Sequence, residues 1–162
     1  MNNERVAIVT GSFDPITVGH VGIVRRAAAE FDRVYVVALS NAEKQHTFTS
    51  DARREMIRLA VADVPNAVAD AYEGMTADYM HDHGITTIVR GIRSEEDRAY
   101  EEYLASCMRA LDPSFTTVWL APDPGTESIS STLVRDALRE GRPITGLVPP
   151  AVETYIKSTV NS

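Results

Sequence analysis

His20 carries the clearest chemistry in this sequence. It closes the stretch VAIVTGSFDPITVGH over residues 6–20, three positions after Thr17 and one after Gly19. An imidazole in the first turn of a helix, behind a glycine turn, can donate to a phosphate oxygen, and this segment builds such a place. Val6, Ala7, Ile8, Val9 and Thr10 form an apolar, β-branched run that suits a strand buried on both faces. Gly11 ends the run, where a missing Cβ admits positive φ or the close approach of a ligand, and Asp14-Pro15 turns the chain. Val21, Ile23, Val24 and the alanines at 27–29 then read as a helix. The first N–H groups of a helix lack partners and its dipole favours anions there. Alone, His20 reads equally well as an exposed first-turn residue; the strand before it and Thr17-x-Gly19 beside it favour the chemical reading. The turn is neither a Walker A loop nor a G-x-G-x-x-G dinucleotide fingerprint.

Three further groups could meet an anion. Arg90-Gly91-Ile92-Arg93 sets two guanidinium forks after another apolar run, a geometry suited to bidentate phosphate contacts, although a surface pair balanced by Glu95, Glu96 and Asp97 reads the same way. Ile129-Ser130-Ser131-Thr132 offers hydroxyls and N–H groups at a helix start, where simple capping needs only one of them. Lys44, in a polar stretch over 40–46, is either a solvated lysine or a phosphate contact. His81-Asp82-His83 has the composition of a metal site, but residues two apart on a helix do not face each other, and the helix dipole accounts for histidines in a last turn. Cys107, Trp119 and the tyrosines on helical stripes read as packing.

The elements that would position these groups alternate. Strands are expected over 6–10, 33–39, 67–72, 86–90 and 115–121. Helices should follow His20, the caps Thr49 or Ser50, Gly74, Ser94, and Ser130 or Ser131, and a last one should cover 150–158 with Pro150 at its first position. Gly84 is a natural stop for the helix over 75–83. In the long helix after Ser94 the expected inward stripe is Ala99, Tyr100, Tyr103, Leu104, Cys107 and Leu111. Such alternation implies a parallel sheet covered on both faces, with ligands at the carboxyl ends of its strands. Gly11-Ser12, Lys44, Arg90-Gly91 and the loop before Ser130 all follow such ends.

Composition sets the outer bounds. With 162 residues the chain is expected to be one domain over 1–162 that buries most of its apolar surface. The formal charge of −7 argues against binding duplex nucleic acid, which demands phosphate neutralisation, but a small phosphorylated ligand needs only a local basic cluster. One cysteine permits no internal disulfide, and no long apolar run suggests a leader or membrane span, so a cytoplasmic protein is the expectation.

Taken together, the motifs resemble the nucleotidylyltransferases with an (H/T)xGH signature, here Thr17-Val18-Gly19-His20, and within them the phosphopantetheine adenylyltransferases. The likeness runs over 6–151. Its specific parts are GSFDPITVGH, the lysine before Thr47-Phe48-Thr49, RGIR, Asp97 with Tyr100-Glu101, and ISST followed by Leu133-Val134-Arg135-Asp136. It implies an α/β fold of nucleotidylyltransferase type, a Rossmann-like doubly wound five-stranded parallel sheet with helices on both faces. The implied reaction, a step of coenzyme A biosynthesis, moves AMP from ATP to 4′-phosphopantetheine, giving dephospho-coenzyme A and pyrophosphate. The displacement is direct and in line, without a covalent enzyme intermediate, and Mg²⁺ is carried in with ATP rather than held by a dedicated protein cage. By the same likeness His20 stabilises the transition state, with Lys44 and Arg93 also catalytic. Ser12, Lys44, Thr76 and Arg90 would hold phosphopantetheine. Ser12, Phe13, His20, Gly91, Ile92, Arg93, Glu101, Thr126, Glu127, Ser128, Ile129, Ser130, Ser131 and Thr132 would hold ATP. The family further implies a homohexamer and feedback inhibition by coenzyme A, with no nucleic-acid or membrane partner.

Three positions depart from the family's pattern. Thr126-Glu127-Ser128 stands where a tryptophan is common, Cys107-Met108-Arg109 stands where Met-Asn-Arg is common, and Thr132 with Arg135-Asp136 replaces a serine and Lys-Glu. The last version leans toward the nicotinamide mononucleotide adenylyltransferases. An adenylyltransferase for that or another small phosphate, and a non-catalytic nucleotide sensor on the same fold, therefore stand as alternatives.

Overall fold

The computed structural model describes residues 4–40 and 45–160. Its elements run β1 (Val6–Gly11), α1 (Val18–Glu30), β2 (Arg33–Ser40), α2 (Ser50–Ala60), β3 (Ala67–Glu73), α3 (Thr76–His83), β4 (Thr87–Gly91), α4 (Glu95–Leu111), β5 (Thr116–Leu120), α5 (Ser131–Arg139) and α6 (Pro150–Val160). The five strands form one sheet in the order β3-β2-β1-β4-β5, and every pairing is parallel. Parallel neighbours need crossovers, and here each crossover contains a helix. The order grows outward from β1 to β3, then returns to place β4 on the other side of β1. The crevice outside the carboxyl ends of β1 and β4 is the switch point where such sheets bind ligands.

The alternation of side chains along each strand divides the core into two layers. Ala7, Val9, Val34, Val36, Ala38 and Val89 face a layer built from α1, α2, α5 and α6. Ile8, Val37 and Ile88 face the other, built from α3 with Phe115 and Met108. Because β1 and β2 are covered on both sides, their sequences are continuous apolar runs rather than alternating ones. Arg90 and Thr10 have the same parity as Ile88 and Ile8, so they point to the α3–α4 face, while α1 carries His20 on the opposite face.

Helix α4 turns a different side inward from the one its apolar residues mark. Of the expected stripe only Leu104 is half-buried; Ala99, Tyr100, Tyr103, Cys107 and Leu111 face outward, with Tyr100 and Tyr103 61% and 65% exposed. Cys107, expected in the core, is exposed. The inward side is instead Asp97, Glu101, Leu104, Ala105 and Met108, which share one helical face. The reason is electrostatic. Arg90 projects from β4 toward this helix with 31% of its side chain exposed, and the buried Glu101 carboxylate on the inward side of the helix is matched by that guanidinium. The helix is rotated to present Glu101.

The histidines of α3 serve the fold. His81 Nε2 lies 2.8 Å from Asp112 Oδ2, and the His83 ring stacks on Tyr79 at 3.9 Å between centroids. Among the described residues no helix is long and apolar enough to cross a membrane.

Candidate active site

The first wall of the crevice is the turn from β1 into α1. Phe13, Asp14, Pro15, Ile16 and Thr17 are all buried, so the turn is a packed element rather than a surface loop. Thr17 caps α1, and its hydroxyl accepts from the His20 N–H at 3.3 Å. In return the Thr17 N–H donates to His20 Nδ1 at 3.0 Å. This is a capping box with histidine in the place usually taken by Glu or Gln. Because Nδ1 accepts a backbone N–H, the ring proton belongs on Nε2, the nitrogen left to face the crevice. Burial, reinforced by the charge of Arg93, lowers the His20 pKa to about 4. His20 is therefore a neutral donor at neutral pH. The Phe13 ring meets it edge-on, 5.0 Å between centroids at 88°.

The second wall follows β4. Glu101, 5% exposed, accepts from Arg90 through both oxygens, Nε to Oε1 at 2.5 Å and Nη2 to Oε2 at 2.9 Å. Arg90 Nη1 donates to Thr10 Oγ1 at 3.1 Å. The fork is braced on two sides, with N–H groups to spare for a ligand. Arg93 is half-exposed; its backbone N–H donates to Asp97 Oδ2 at 3.1 Å and its guanidinium lies 3.8 Å from the same atom. Between the arginines, Ile92 N–H is tied to Leu120 O at 3.0 Å.

The third wall is the start of α5. Ser130 is the N-cap and accepts from Leu133 N–H. Ser131 donates to Pro15 O at 2.8 Å, and Thr132 accepts from Arg135 Nη2 at 3.1 Å. All three hydroxyls thus have protein partners. What α5 offers a ligand is its first-turn N–H groups and the positive end of its dipole. Arg135 also bonds Asp14 O, linking this wall to the first.

These walls enclose a cleft of about 450 Å³. Of the site residues expected from the sequence or from the family resemblance, Ser12, Phe13, His20, Arg90, Gly91, Arg93, Glu101, Thr126, Ile129, Ser130, Ser131 and Thr132 line it. Thr76, at the start of α3, lies outside the lining, as do Ile92, Glu127 and Ser128, the last two exposed. Lys44 lies outside the described residues. Thr10 and Tyr100 also line the cleft, as do Asp97 and Arg135. Thr10 was legible only as the last residue of a strand; nothing in the linear sequence announces that its hydroxyl braces an arginine eighty residues away. Among the described residues that line the cleft, three arginines stand against two carboxylates, a positive balance in a chain of formal charge −7.

A family model described as cytidylyltransferase-like matches residues 8–137, from within β1 to within α5, and so takes in all three walls.

Proposed function

We propose that this chain, which belongs to the cytidylyltransferase-like family, is an adenylyltransferase that moves AMP from ATP to 4′-phosphopantetheine, releasing pyrophosphate and dephospho-coenzyme A. The reaction class, nucleotidyl transfer, follows from the family. The observation that carries the finer reading is the pairing, across the carboxyl edge of the sheet, of a neutral imidazole donor with a braced arginine fork. The acceptor rests on the RGIR segment and on Asp97 with Tyr100-Glu101.

The acceptor brings its own nucleophile, a phosphate oxygen, so neither a covalent intermediate nor a strong base is needed. The protein's task is to align two anions and offset charge at the α-phosphorus. Alignment of this kind can supply about 7–11 kcal/mol of the barrier. His20 Nε2–H would donate to the α-phosphate as charge builds there, Arg93 and the first turn of α5 would hold the triphosphate, and Arg90 would hold the acceptor phosphate. Lys44 would join Arg90, and Thr76 would meet the pantetheine arm. Asp97 and Glu101, the carboxylates lining the cleft, are engaged by arginines, so a divalent ion would meet phosphate oxygens, water and hydroxyls. That donor set suits Mg²⁺ carried in on ATP, where it supplies charge neutralisation. Coenzyme A, holding both the pantetheine arm and an adenylate, would fill both halves of the cleft as an inhibitor. The exposed Tyr103 and Leu111 on α4 are consistent with the proposed homohexamer, since exposed large apolar side chains can mark association surfaces.

A second reading, transfer to nicotinamide mononucleotide, draws on Thr132 bonded to Arg135. One assay decides. Purified protein with Mg²⁺ and ATP is offered phosphopantetheine, nicotinamide mononucleotide or glycerol 3-phosphate, and pyrophosphate is followed. Release with phosphopantetheine is expected. Release with nicotinamide mononucleotide alone would overturn the assignment, and release with none would make the protein a nucleotide sensor.

A further inference from the structure

Among the described residues Arg53 is the largest fully buried side chain, 1% exposed. It lies on the inner face of α2 with Met56, Ile57 and Ala60, where an apolar residue would be the ordinary choice. Each of its five N–H groups has an acceptor. Nε donates to Phe48 O at 3.2 Å, Nη1 to Ser12 O at 2.9 Å and Leu39 O at 3.2 Å, and Nη2 to Ser40 Oγ at 2.5 Å and Ser50 Oγ at 3.3 Å. None of these is a carboxylate. The nearby Asp14, 4% exposed, spends its oxygens on the N–H groups of Thr47 and Phe48, at 2.8 and 2.9 Å. A buried cation whose fork is spent mainly on backbone carbonyls is placing the backbone.

The carbonyl of Ser12 is the consequential one. It belongs to the peptide that leads into Phe13, which has φ +47, a left-handed conformation that costs a residue with a side chain free energy and persists only where its surroundings impose it. The Phe13 ring lies against Gly11, 3.5 Å from where a Cβ would stand, and edge-on to His20. A chain of direct contacts therefore joins Arg53 to Ser12, Ser12 to Phe13, and Phe13 to His20.

We propose that Arg53 is a positioning residue for nucleotidyl transfer, fixing the Ser12–Phe13 peptide from beneath and, through the Phe13 ring, the pose of His20. The inference rests on the reading of His20 as the donor to the α-phosphate. Arg53 touches no reacting atom; it acts by preorganisation, and a misplacement of about 1 Å far from the chemistry can cost roughly 10²-fold in rate.

The test is Arg53→Lys, which keeps the charge and much of the stem but loses the planar fork. We expect kcat to fall about 10²-fold while KM for ATP and for phosphopantetheine stays within about threefold, the split that marks an interaction realised in the transition state. Without ligand, the ring ¹⁵N resonances of His20 and the amide of Phe13 should shift, and the thermal melt should remain cooperative. A control removes the hydroxyl acceptors only: Ser40→Ala with Ser50→Ala leaves the Ser12 bond in place and should keep kcat within about threefold. A folded Arg53→Lys protein with unchanged kcat, unchanged His20 and Phe13 resonances, or an equal loss in the serine control would each overturn the proposal. An unfolded Arg53→Lys would assign the residue to the fold alone and overturn it as well. If wild-type protein releases no pyrophosphate with any acceptor, the transfer reading fails by itself, and the ligand-free resonances still decide whether Arg53 sets His20.

Discussion

On the α1 wall of the cleft, His20 is held by uncharged contacts: hydrogen bonds with the Thr17 hydroxyl and backbone N–H, and the edge-on Phe13 ring. On the α4 wall, Arg90 and Arg93 are held by carboxylates. The difference follows from what each group must do. A donor that meets charge only as the transition state forms gains from being neutral and rigid, because its alignment then costs nothing at the moment of reaction. Groups that would capture a ready-made phosphate must carry charge, and here that charge is balanced by neighbouring carboxylates, Glu101 buried beside Arg90 and Asp97 half-exposed beside Arg93. On the proposed function, one wall would serve rate and the other capture. Substitutions on the two should therefore separate kcat from KM.

The largest effect is expected on the α1 wall. Gln at position 20 can still close the capping box, since glutamine is an ordinary partner at that position. His20→Gln should thus keep the fold while lowering kcat about 10²–10³-fold, the usual loss for one preorganised donor, with a much smaller change in KM for ATP. The same substitution tests the neutral state. His20 has a pKa of about 4 in the folded protein against 6.5 for a free histidine. Between those values the unfolded chain binds the proton and the folded one does not, so the contribution is full above pH 6.5 and is lost as pH falls toward 4. Urea melts across that window should show this slope in wild type and not in His20→Gln. A kcat that falls as pH rises through about 6.5, with this limb absent from the variant, would mean that His20 works charged, and the contrast between the walls would break.

The second effect belongs to the α4 wall. Arg90→Ala should raise KM for phosphopantetheine far more than KM for ATP, and it should also destabilise the fold by about 3–5 kcal/mol, because Glu101 is left buried without its partner. Replacing both by methionine should return most of that stability without restoring capture, since well-packed apolar residues often match a buried ion pair. Steady-state kinetics and denaturant melts on the three proteins check this. An effect of Arg90→Ala confined to ATP would show that the two arginines have exchanged roles.

The contrast also explains which features are legible in the sequence. The α1 wall is local: Thr17, Gly19 and His20 lie within four residues, strand and helix signals bracket them, and the cap follows from the side-chain types. The strand runs of β1 and β2 were legible for the same reason. The α4 wall is not local. Its rotation depends on Arg90 of β4, and periodicity counts apolar residues without knowing which strand will bring a charge beneath them. The stripe of Tyr100, Tyr103, Cys107 and Leu111 therefore pointed the wrong way. Arg53 escaped for a related cause. Its spacing with Met56, Ile57 and Ala60 places it on the core face, but an arginine there is legible only once the carbonyl of Ser12 is known to lie within reach. Likewise the sequence leaves the ISST hydroxyls open between phosphate contacts and capping by one of them; the partners of the other two, Pro15 O and Arg135, are distant or non-obvious in the sequence.

The smallest effect sharpens the comparison within the α4 wall itself. Arg93 and Asp97 are both largely solvated, 48% and 40% exposed, unlike the Arg90–Glu101 pair. An exposed pair of this kind contributes about 0–1 kcal/mol and is screened by salt. Asp97→Asn should leave stability nearly unchanged and shift the charge balance of the cleft by one positive unit. Arg93 is then freer to meet the triphosphate, so KM for ATP should fall by about twofold at low ionic strength, and the gain should disappear on the order of 0.15 M salt or above. kcat should hold, because His20 is still set by Thr17 and Phe13. The increased influence of Arg93 would further disfavour protonation of His20, the direction in which it already acts. Initial rates against ATP concentration at two ionic strengths read this directly. A fall in kcat with Asp97→Asn would mean that Asp97 positions a reacting group, and that the α4 wall contributes to rate as well as to capture.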